Sequence, residues 1–436
     1  MTTQAGTRHR PEHLLVDLNA MGPFLEEPYV LVEGKGIRLT DDRGREYIDG
    51  LSGAFVTSVG HGNEAIVEAA AEQAQRLAFA QPFYATTPPA IRLADRLAEL
   101  SQPGLEYVRL TAAGSEATES AIKLARQLHL ERGEGRRFKV LSHHRGYHGS
   151  TGFALAASGN VGWKRAFEPY AGGFSHVHPP FSLQRLIPAL AGDPEAAAEA
   201  ALALLAETIE REAPETIAAF ITEPVMLSAG LRIPPPGYLA RLIELCRGYG
   251  IVVIFDEIIT GFGRTGRLFA SEHFDAVPDI LCFGKGVSGG YAALAGFIAH
   301  ERVAAPFVTG ELREHAFLDA HTYGNNPVAA AVGLAVLDQI EQRGLIEAAE
   351  QRGAQLAGLL RDAGLPAVKE VRGIGLLVAV ELDGVDGQVV WEEARRRGLI
   401  CRYGEDFVAL GPPLIVSAEE VAEIADILVD SIAAVV

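Results

Sequence analysis

IVVIFDEIITGFGRTGRLFASEHFDAVPDILCFGKGVSGG, residues 251–290, holds one acid behind a wholly apolar run and one lysine set between glycines. The run Ile251 to Phe255 is β-branched and aromatic, too short for a helix, and preceded by a helical pattern. It predicts a parallel strand buried on both faces. Asp256 then stands at the strand's carboxyl end, where open α/β sheets bind ligands, and a carboxylate there needs a cationic partner or a proton. Lys285 follows a second short apolar run, Ile280 to Phe283, between Gly284 and Gly286. Glycine on both sides permits a sharp turn and leaves room for a bulky group at the lysine nitrogen. Lysine condenses with carbonyl compounds once its ammonium is made easier to deprotonate. An acid at one strand end and such a lysine at another suit pyridoxal phosphate: the acid keeps the ring nitrogen protonated and the lysine holds the aldehyde.

Each group also has a plainer reading, Asp256 as an acid capping the next turn and Lys285 as a surface lysine. The stretch imitates two further sites. Gly261-Phe-Gly263-Arg-Thr-Gly266 fits the dinucleotide pattern GxGxxG, but the residues after it make a poor amphipathic helix where one must begin. IVVIFDE resembles the magnesium-holding strand of an ATPase, yet the chain has no GxxxxGK[ST] loop. A nucleotide-dependent oxidoreductase or an ATP-binding module would need the missing half.

The chain has 436 residues, 48% of them hydrophobic, enough for a sizeable core and for two domains or one large one with an excursion. Its formal net charge of −18 disfavours nucleic-acid and membrane partners, so an anionic cofactor needs a local site of backbone N–H groups. Cys246, Cys282 and Cys401 are far apart inside apolar runs, without metal-ligand spacing, and read as buried thiols of a reducing compartment. With no signal-type segment and no long uncharged apolar run, a cytoplasmic location is expected.

From Val30 the alternation in VLVEGKGIRLTDDRGREYIDG predicts antiparallel strands. Helical patterns follow at 65–77 and 90–100. Strand and helix then alternate: strand 107–110, helix 115–130, strand 139–141, helix 196–211, strand 217–221, helix 238–249 and strand 251–255. That rhythm predicts a mostly parallel sheet with crossover helices. After Asn326-Pro327 comes a long helix, 328–341, and an α+β tail ending in a helix at 418–435. The division expected is an N-terminal segment, 1–55, packing with the tail; a large domain, 56–325; and a small α+β domain, 326–436.

Other groups with chemical capacity lie at strand ends. Gly114-Ser115 joins a strand to a helix, where free N–H groups, a hydroxyl and the dipole suit a phosphate or make an ordinary N-cap. His143-His-Arg-Gly-Tyr147-His148-Gly149 places a ring between glycines, fit to stack on a flat ligand. Its histidines lack the complement of a metal site, so no metal is expected. Glu223 ends another strand on the same sheet edge as Asp256, to position a partner or to form an internal salt bridge. Arg402 follows Leu399-Ile-Cys401, and arginine grips carboxylates bidentately.

In this order the pieces GSEA…AIKLAR, YHG, TEPV, DEIITGFGRTG, PDILCFGKG, HTYGNNPVAAA and ALGPPLIVS resemble the class III pyridoxal-phosphate aminotransferases, the ω-amino acid:pyruvate and 4-aminobutyrate type. The resemblance runs from about Gly34 to the C-terminus. It implies the type I, aspartate aminotransferase-like α/β fold and ping-pong transfer of an amino group from an amine or ω-amino acid to pyruvate or 2-oxoglutarate. A lyase, decarboxylase or aminomutase on the same scaffold is the alternative. The resemblance gives Lys285 and Asp256 the catalytic roles. It places Ile258 behind the cofactor ring, Tyr147 on the opposite face with His148 beside it, and Glu223 on the same rim. Gly114 and Ser115 would bind the phosphate, helped by Thr322 from a second subunit, so the expected unit is a homodimer, with a tetramer also compatible. Phe55 and Tyr84 match aromatic pocket positions, and Arg402 the arginine that grips substrate carboxylates. The chain departs from the family at Ala112 and Ala113, where Asn-Ser is usual, at Thr118 in place of Asn, and at Phe55 in place of Trp.

Overall fold

The computed structural model describes residues 9, 11–18, 20–168, 172–309 and 315–436. Its strands in chain order are β1 (Leu31–Lys35), β2 (Arg38–Asp41), β3 (Glu46–Asp49), β4 (Leu105–Thr111), β5 (Lys139–His143), β6 (Phe174–Val177), β7 (Ile217–Thr222) and β8 (Val252–Asp256). There follow β9 (Ile280–Phe283), β10 (Ala295–His300), β11 (Val368–Ile374), β12 (Leu377–Leu382), β13 (Leu399–Ile400), β14 (Arg402–Tyr403) and β15 (Phe407–Leu410). The central sheet has seven strands in the order β4-β10-β9-β8-β7-β5-β6. Strands β5 to β9 pair in parallel, and β10 runs antiparallel to both neighbours, β4 and β9.

Strands β7, β8 and β9 are buried at every position because helices cover both faces of the sheet. Side chains alternate between those faces. Phe220, Val253 and Phe255 pack with Leu205, Leu239, Leu242 and Cys246 on one side, under the helices Pro194–Arg211 and Tyr238–Gly248. Ala219, Ile221, Ile254 and Cys282 pack with Ala121, Leu124 and Leu128 on the other, under the helix Gly114–Glu131. Burying each large apolar side chain is worth about 1.5–3 kcal/mol, so these layers fix the register that brings the strand ends together.

In the second sheet, β1-β2-β3-β13, Ile48 pairs with Leu399 in the tail. The third, β11-β12-β15-β14, lies wholly in the tail. The helix Pro327–Gln342 starts as its sequence indicates: Asn326 accepts from Ala329 N at 2.9 Å and proline takes the first turn. One core cluster draws side chains from Ile37 to Ile432 and joins the N-terminal segment, the central helices and the tail.

Strands β6 and β10 and the helix Leu345–Asp362 extend the predicted pattern. The GFGRTG stretch is a run of turns followed by the short 3-10 segment Ala270–Phe274, without the helix a dinucleotide site requires. Its Arg264 is buried and donates to Ser52 Oγ at 3.0 Å and to the Pro412 carbonyl, tying the large sheet's loops to both ends of the chain. No helix among the described residues is long and apolar enough to cross a membrane.

Candidate active site

A cavity of 190 Å³ opens at the carboxyl ends of the parallel strands. Gly114, Ser115, Tyr147, His148, Glu223, Asp256, Ile258 and Lys285 all line it. They come from five separate strand ends or helix starts, and the topology of the sheet gathers them.

Asp256, the last residue of β8, is buried. One carboxylate oxygen accepts the Ile258 backbone N–H at 3.2 Å, so the plain turn-capping reading is part of its role. The other lies 2.9 Å from His148 Nδ1. This is the partner a strand-end acid needs, and no spacing in the sequence announces it. The second ring nitrogen of His148 is buried without a hydrogen-bond partner.

Lys285 opens a 3-10 turn and itself takes the left-handed conformation, with φ of 43°. The flanking glycines do not provide that turn. A β-carbon on Gly284 would stand 3.3 Å from Ile258 Cγ2 and Ala295 Cβ, and one on Gly286 would stand 3.1 Å from Phe262 Cβ. They let the lysine backbone sit close against packed neighbours, and the strain falls on the reactive residue. Burial pushes the Lys285 amine down to about 8, against the pull of Asp256 and Glu223, while Arg402 adds to the lowering.

Glu223 follows β7 and accepts the Tyr147 backbone N–H at 2.9 Å. Burial raises its carboxyl to about 7, with Asp256 reinforcing the rise and His148 opposing it. Tyr147 stands edge-on to Trp163 with ring centroids 5.0 Å apart, and burial raises its phenol while Ser150 works against this. Arg402 in β14 is half-buried; burial lowers its guanidinium, and the charge of Glu223 opposes that.

The phosphate reading of Gly114-Ser115 rests on a helix end that no side chain caps. Ala113 is the N-cap and its side chain makes no capping bond, whereas Ser115 Oγ accepts from Ser150 N at 3.1 Å. The N-cap alternative for Ser115 is therefore corrected. A β-carbon on Gly114 would meet Ile258 Cδ1 at 3.0 Å, and one on Gly149, at φ 130°, would meet Ser115 Oγ at 2.5 Å. Both glycines keep backbone close to this corner, as a bound phosphate requires. An uncapped helix start, a buried acid and a half-buried amine around one cavity fit pyridoxal phosphate.

Four expected residues, Arg402, Phe55, Tyr84 and Thr322, stand apart from the cavity wall. Phe55 is buried, with φ of 63°, in a turn where Asp49 accepts the Gly53 N–H at 2.8 and 2.9 Å; it packs with Val225, Leu227 and Phe407. Tyr84 is 81% exposed. Thr322 is exposed in the turn before the Pro327–Gln342 helix. Of the loop histidines, His143 is buried between Thr222 Oγ1 at 2.9 Å and Tyr238 OH at 3.0 Å, and burial lowers it to about 3. His144 packs on His178, with ring centroids 4.5 Å apart. Among the described residues no group of three or more His, Cys, Asp or Glu could hold a metal.

Residues 23–432 match the model of the family Aminotransferase class-III. The chain is a class III aminotransferase. It is 38% identical to a probable aminotransferase of Mycobacterium tuberculosis over 93% of this chain and 90% of that one. It is 33% identical to a β-alanine–pyruvate aminotransferase of Pseudomonas aeruginosa over 92% of this chain and 91% of that one. Among solved structures, an (S)-enantioselective ω-transaminase from Thermomicrobium roseum has a TM-score of 0.91 at 37% identity, covering 97% of this chain and 96% of that one. An ω-transaminase from Pseudomonas jessenii in complex with PMP has a TM-score of 0.93 at 33% identity, covering 97% and 96%. The aminotransferase is thus a pyridoxal-phosphate-dependent transaminase of type I fold, acting between an amine donor and a keto acid.

Proposed function

We propose that this aminotransferase moves an amino group from an ω-amino acid or a simple amine to pyruvate or 2-oxoglutarate, with Lys285 and Asp256 as its catalytic residues. The observation that carries the reading is the placement of a half-buried amine, lowered to about 8, and a buried carboxylate on the wall of one cavity. The relatives named β-alanine–pyruvate and ω-amino acid–pyruvate aminotransferases support the choice of donor class and acceptor.

Pyridoxal phosphate, when bound, supplies an aldehyde that takes up the amino group and an electron-poor ring that spreads the charge of a carbanion. Asp256, backed by His148, holds a proton at the ring nitrogen. Gly114, Ser115 and the free N–H groups of the helix start hold the phosphate, with Thr322 of the partner subunit. Ile258 and Tyr147, both on the cavity wall, would hold the ring between them, and Glu223 keeps the Tyr147 loop in place through its backbone N–H. Lys285 removes the proton from the substrate carbon that bears nitrogen and returns it one position along. An amine near 8 is neutral often enough at neutral pH to act as that base. Arg402 pairs with the carboxylate of the keto acid, and Phe55 and Tyr84 bound the substrate side. The unit that works is a homodimer, and the buried free thiols of Cys246, Cys282 and Cys401 agree with a cytoplasmic location.

The test is a panel of amines run with pyruvate and with 2-oxoglutarate. Amine supplied alone is expected to be consumed only up to one equivalent per site, and double-reciprocal plots to give parallel lines. Continued amine consumption without keto acid would show a lyase or decarboxylase instead.

A further inference from the structure

The segment leading to Thr322 is fastened to the Gly114–Glu131 helix by a ladder of side chains. His315 Nδ1 lies 2.8 Å from Glu131. Gln127 donates to the Ala316 carbonyl at 2.8 Å and accepts from Leu318 N at 2.9 Å. Asp319 receives Lys123 Nζ at 2.5 Å and Ser120 Oγ at 2.6 Å. His321 lies 3.0 Å from Ser120 Oγ, and its other nitrogen lies 3.7 Å from Glu116. Positions 131, 127, 123, 120 and 116 recur every three or four residues, so they share one helix face. Residues 315–321 therefore descend that face toward the helix start at Gly114, as a strap.

Asp319 is the knot of the strap. Its side chain is fully buried, it lies 3.1 Å from His321 Nε2, and Arg109 of β4 donates to its carbonyl at 3.0 Å. Burial works to raise its carboxyl, but Lys123 and Ser120 outweigh burial and hold it below its ordinary value. Beyond His321 the turn is also packed: Gly324 N donates to the His321 carbonyl at 3.0 Å, and a β-carbon on Gly324 would meet the Leu110 carbonyl at 3.2 Å. Between these fixed points Thr322 turns outward into solvent. One helix thus carries a phosphate corner at its tip and, along its side, the strap that presents Thr322 away from its own subunit.

We propose that Asp319 is a positioning residue for the cofactor phosphate of the partner's site, fixing the strap to the helix so that the Thr322 hydroxyl stands at a set height and angle. This rests on the reading of Thr322 as a phosphate ligand across a homodimer. Breaking the knot frees the hydroxyl to wander, and only a ligand that carries the phosphate registers the loss.

The experiment titrates cofactor-free enzyme with pyridoxal phosphate and with pyridoxal, which lacks the phosphate, following the visible absorbance of bound cofactor. Asp319→Asn, Lys123→Gln and Thr322→Ala are compared with the unaltered chain, with sedimentation recording the oligomer. Asp319→Asn is expected to weaken pyridoxal phosphate about tenfold, the order of one lost hydrogen bond to a charged group, and to leave pyridoxal within about twofold. Lys123→Gln, at a more exposed position, gives the same split at smaller size and covers the case in which Asp319→Asn folds poorly. Equal weakening of both ligands, or of neither, by Asp319→Asn and Lys123→Gln while Thr322→Ala shows the split overturns the role of Asp319 alone. Thr322→Ala without any split overturns the phosphate-ligand reading, and the positioning role with it.

Discussion

Replacing Lys285 by methionine should stabilise the cofactor-free enzyme at neutral pH, with a gain that fades as the solution becomes alkaline. Burial lowers the amine from its ordinary 10.5 to about 8. At about 1.4 kcal/mol per pH unit, that gap corresponds to roughly 3 kcal/mol. The sign follows from proton counts: between about pH 8 and 10.5 the unfolded chain holds a proton that the folded chain has lost. Stability of the unaltered enzyme therefore climbs with pH across that window. Below it the cost of the buried charge is complete, and above it the cost is gone. Methionine keeps the length of the side chain, carries no proton and adapts to its surroundings. With an unfolding entropy of about 2 cal/mol/K per residue, roughly 3 kcal/mol in a chain of this size is worth about 3 °C in Tm. Calorimetry of both cofactor-free proteins from pH 7 to pH 10 is the assay. The Tm advantage of Lys285→Met should shrink by about 3 °C over that range; a difference that holds constant with pH would refute the reasoning.

Three further outcomes follow from the same structure. Burial raises Glu223 from 4.5 to about 7, so its contribution is full below the lower value and lost as pH rises through the upper one; Glu223→Gln should gain about 3 kcal/mol relative to the parent between pH 4.5 and 7, read as Tm. Arg402→Ala should raise KM for the keto acid roughly 10- to 100-fold, the order of a lost charge-assisted pair, and leave the rate of the half-reaction with an amine lacking a carboxylate within about twofold. A β-carbon on Gly353 would stand 1.7 Å from the Gly375 carbonyl oxygen, so Gly353→Ala should destabilise the fold by about 1–3 kcal/mol or more, measured by urea unfolding.

Strands β7, β8 and β9 were legible because each is built on a short apolar run, and burial on both faces leaves that trace in composition. Strand β10, AGFIAH, carries small residues because it packs tightly: a β-carbon on Gly296 would stand 2.1 Å from the Arg109 carbonyl. Small residues mute the strand pattern, and an antiparallel strand breaks the rhythm that revealed the others. The Leu345–Asp362 helix follows the previous one after only two residues, with Gly344 at φ 58° making the turn, so the helical pattern runs on without a clear break. At the site, Asp256 and Lys285 declared themselves through their settings. The His148 contact to Asp256 spans 108 residues and has no local signature. The strap on the Gly114–Glu131 helix was missed for a related reason. Its rungs on the helix share a face at a spacing that is visible, but the segment they hold is irregular and shows no period of its own. Thr118 stays without a physical account: its hydroxyl is buried and has no hydrogen-bond partner.

The most direct measurement of the central claim is to reduce the cofactor-loaded enzyme with borohydride, digest it and map where the cofactor's mass has been added. The account predicts loss of the visible absorbance and a single modified peptide bearing the mass at Lys285. Attachment at any other lysine, or an unmodified Lys285 peptide from colourless, fully reduced protein, would contradict it.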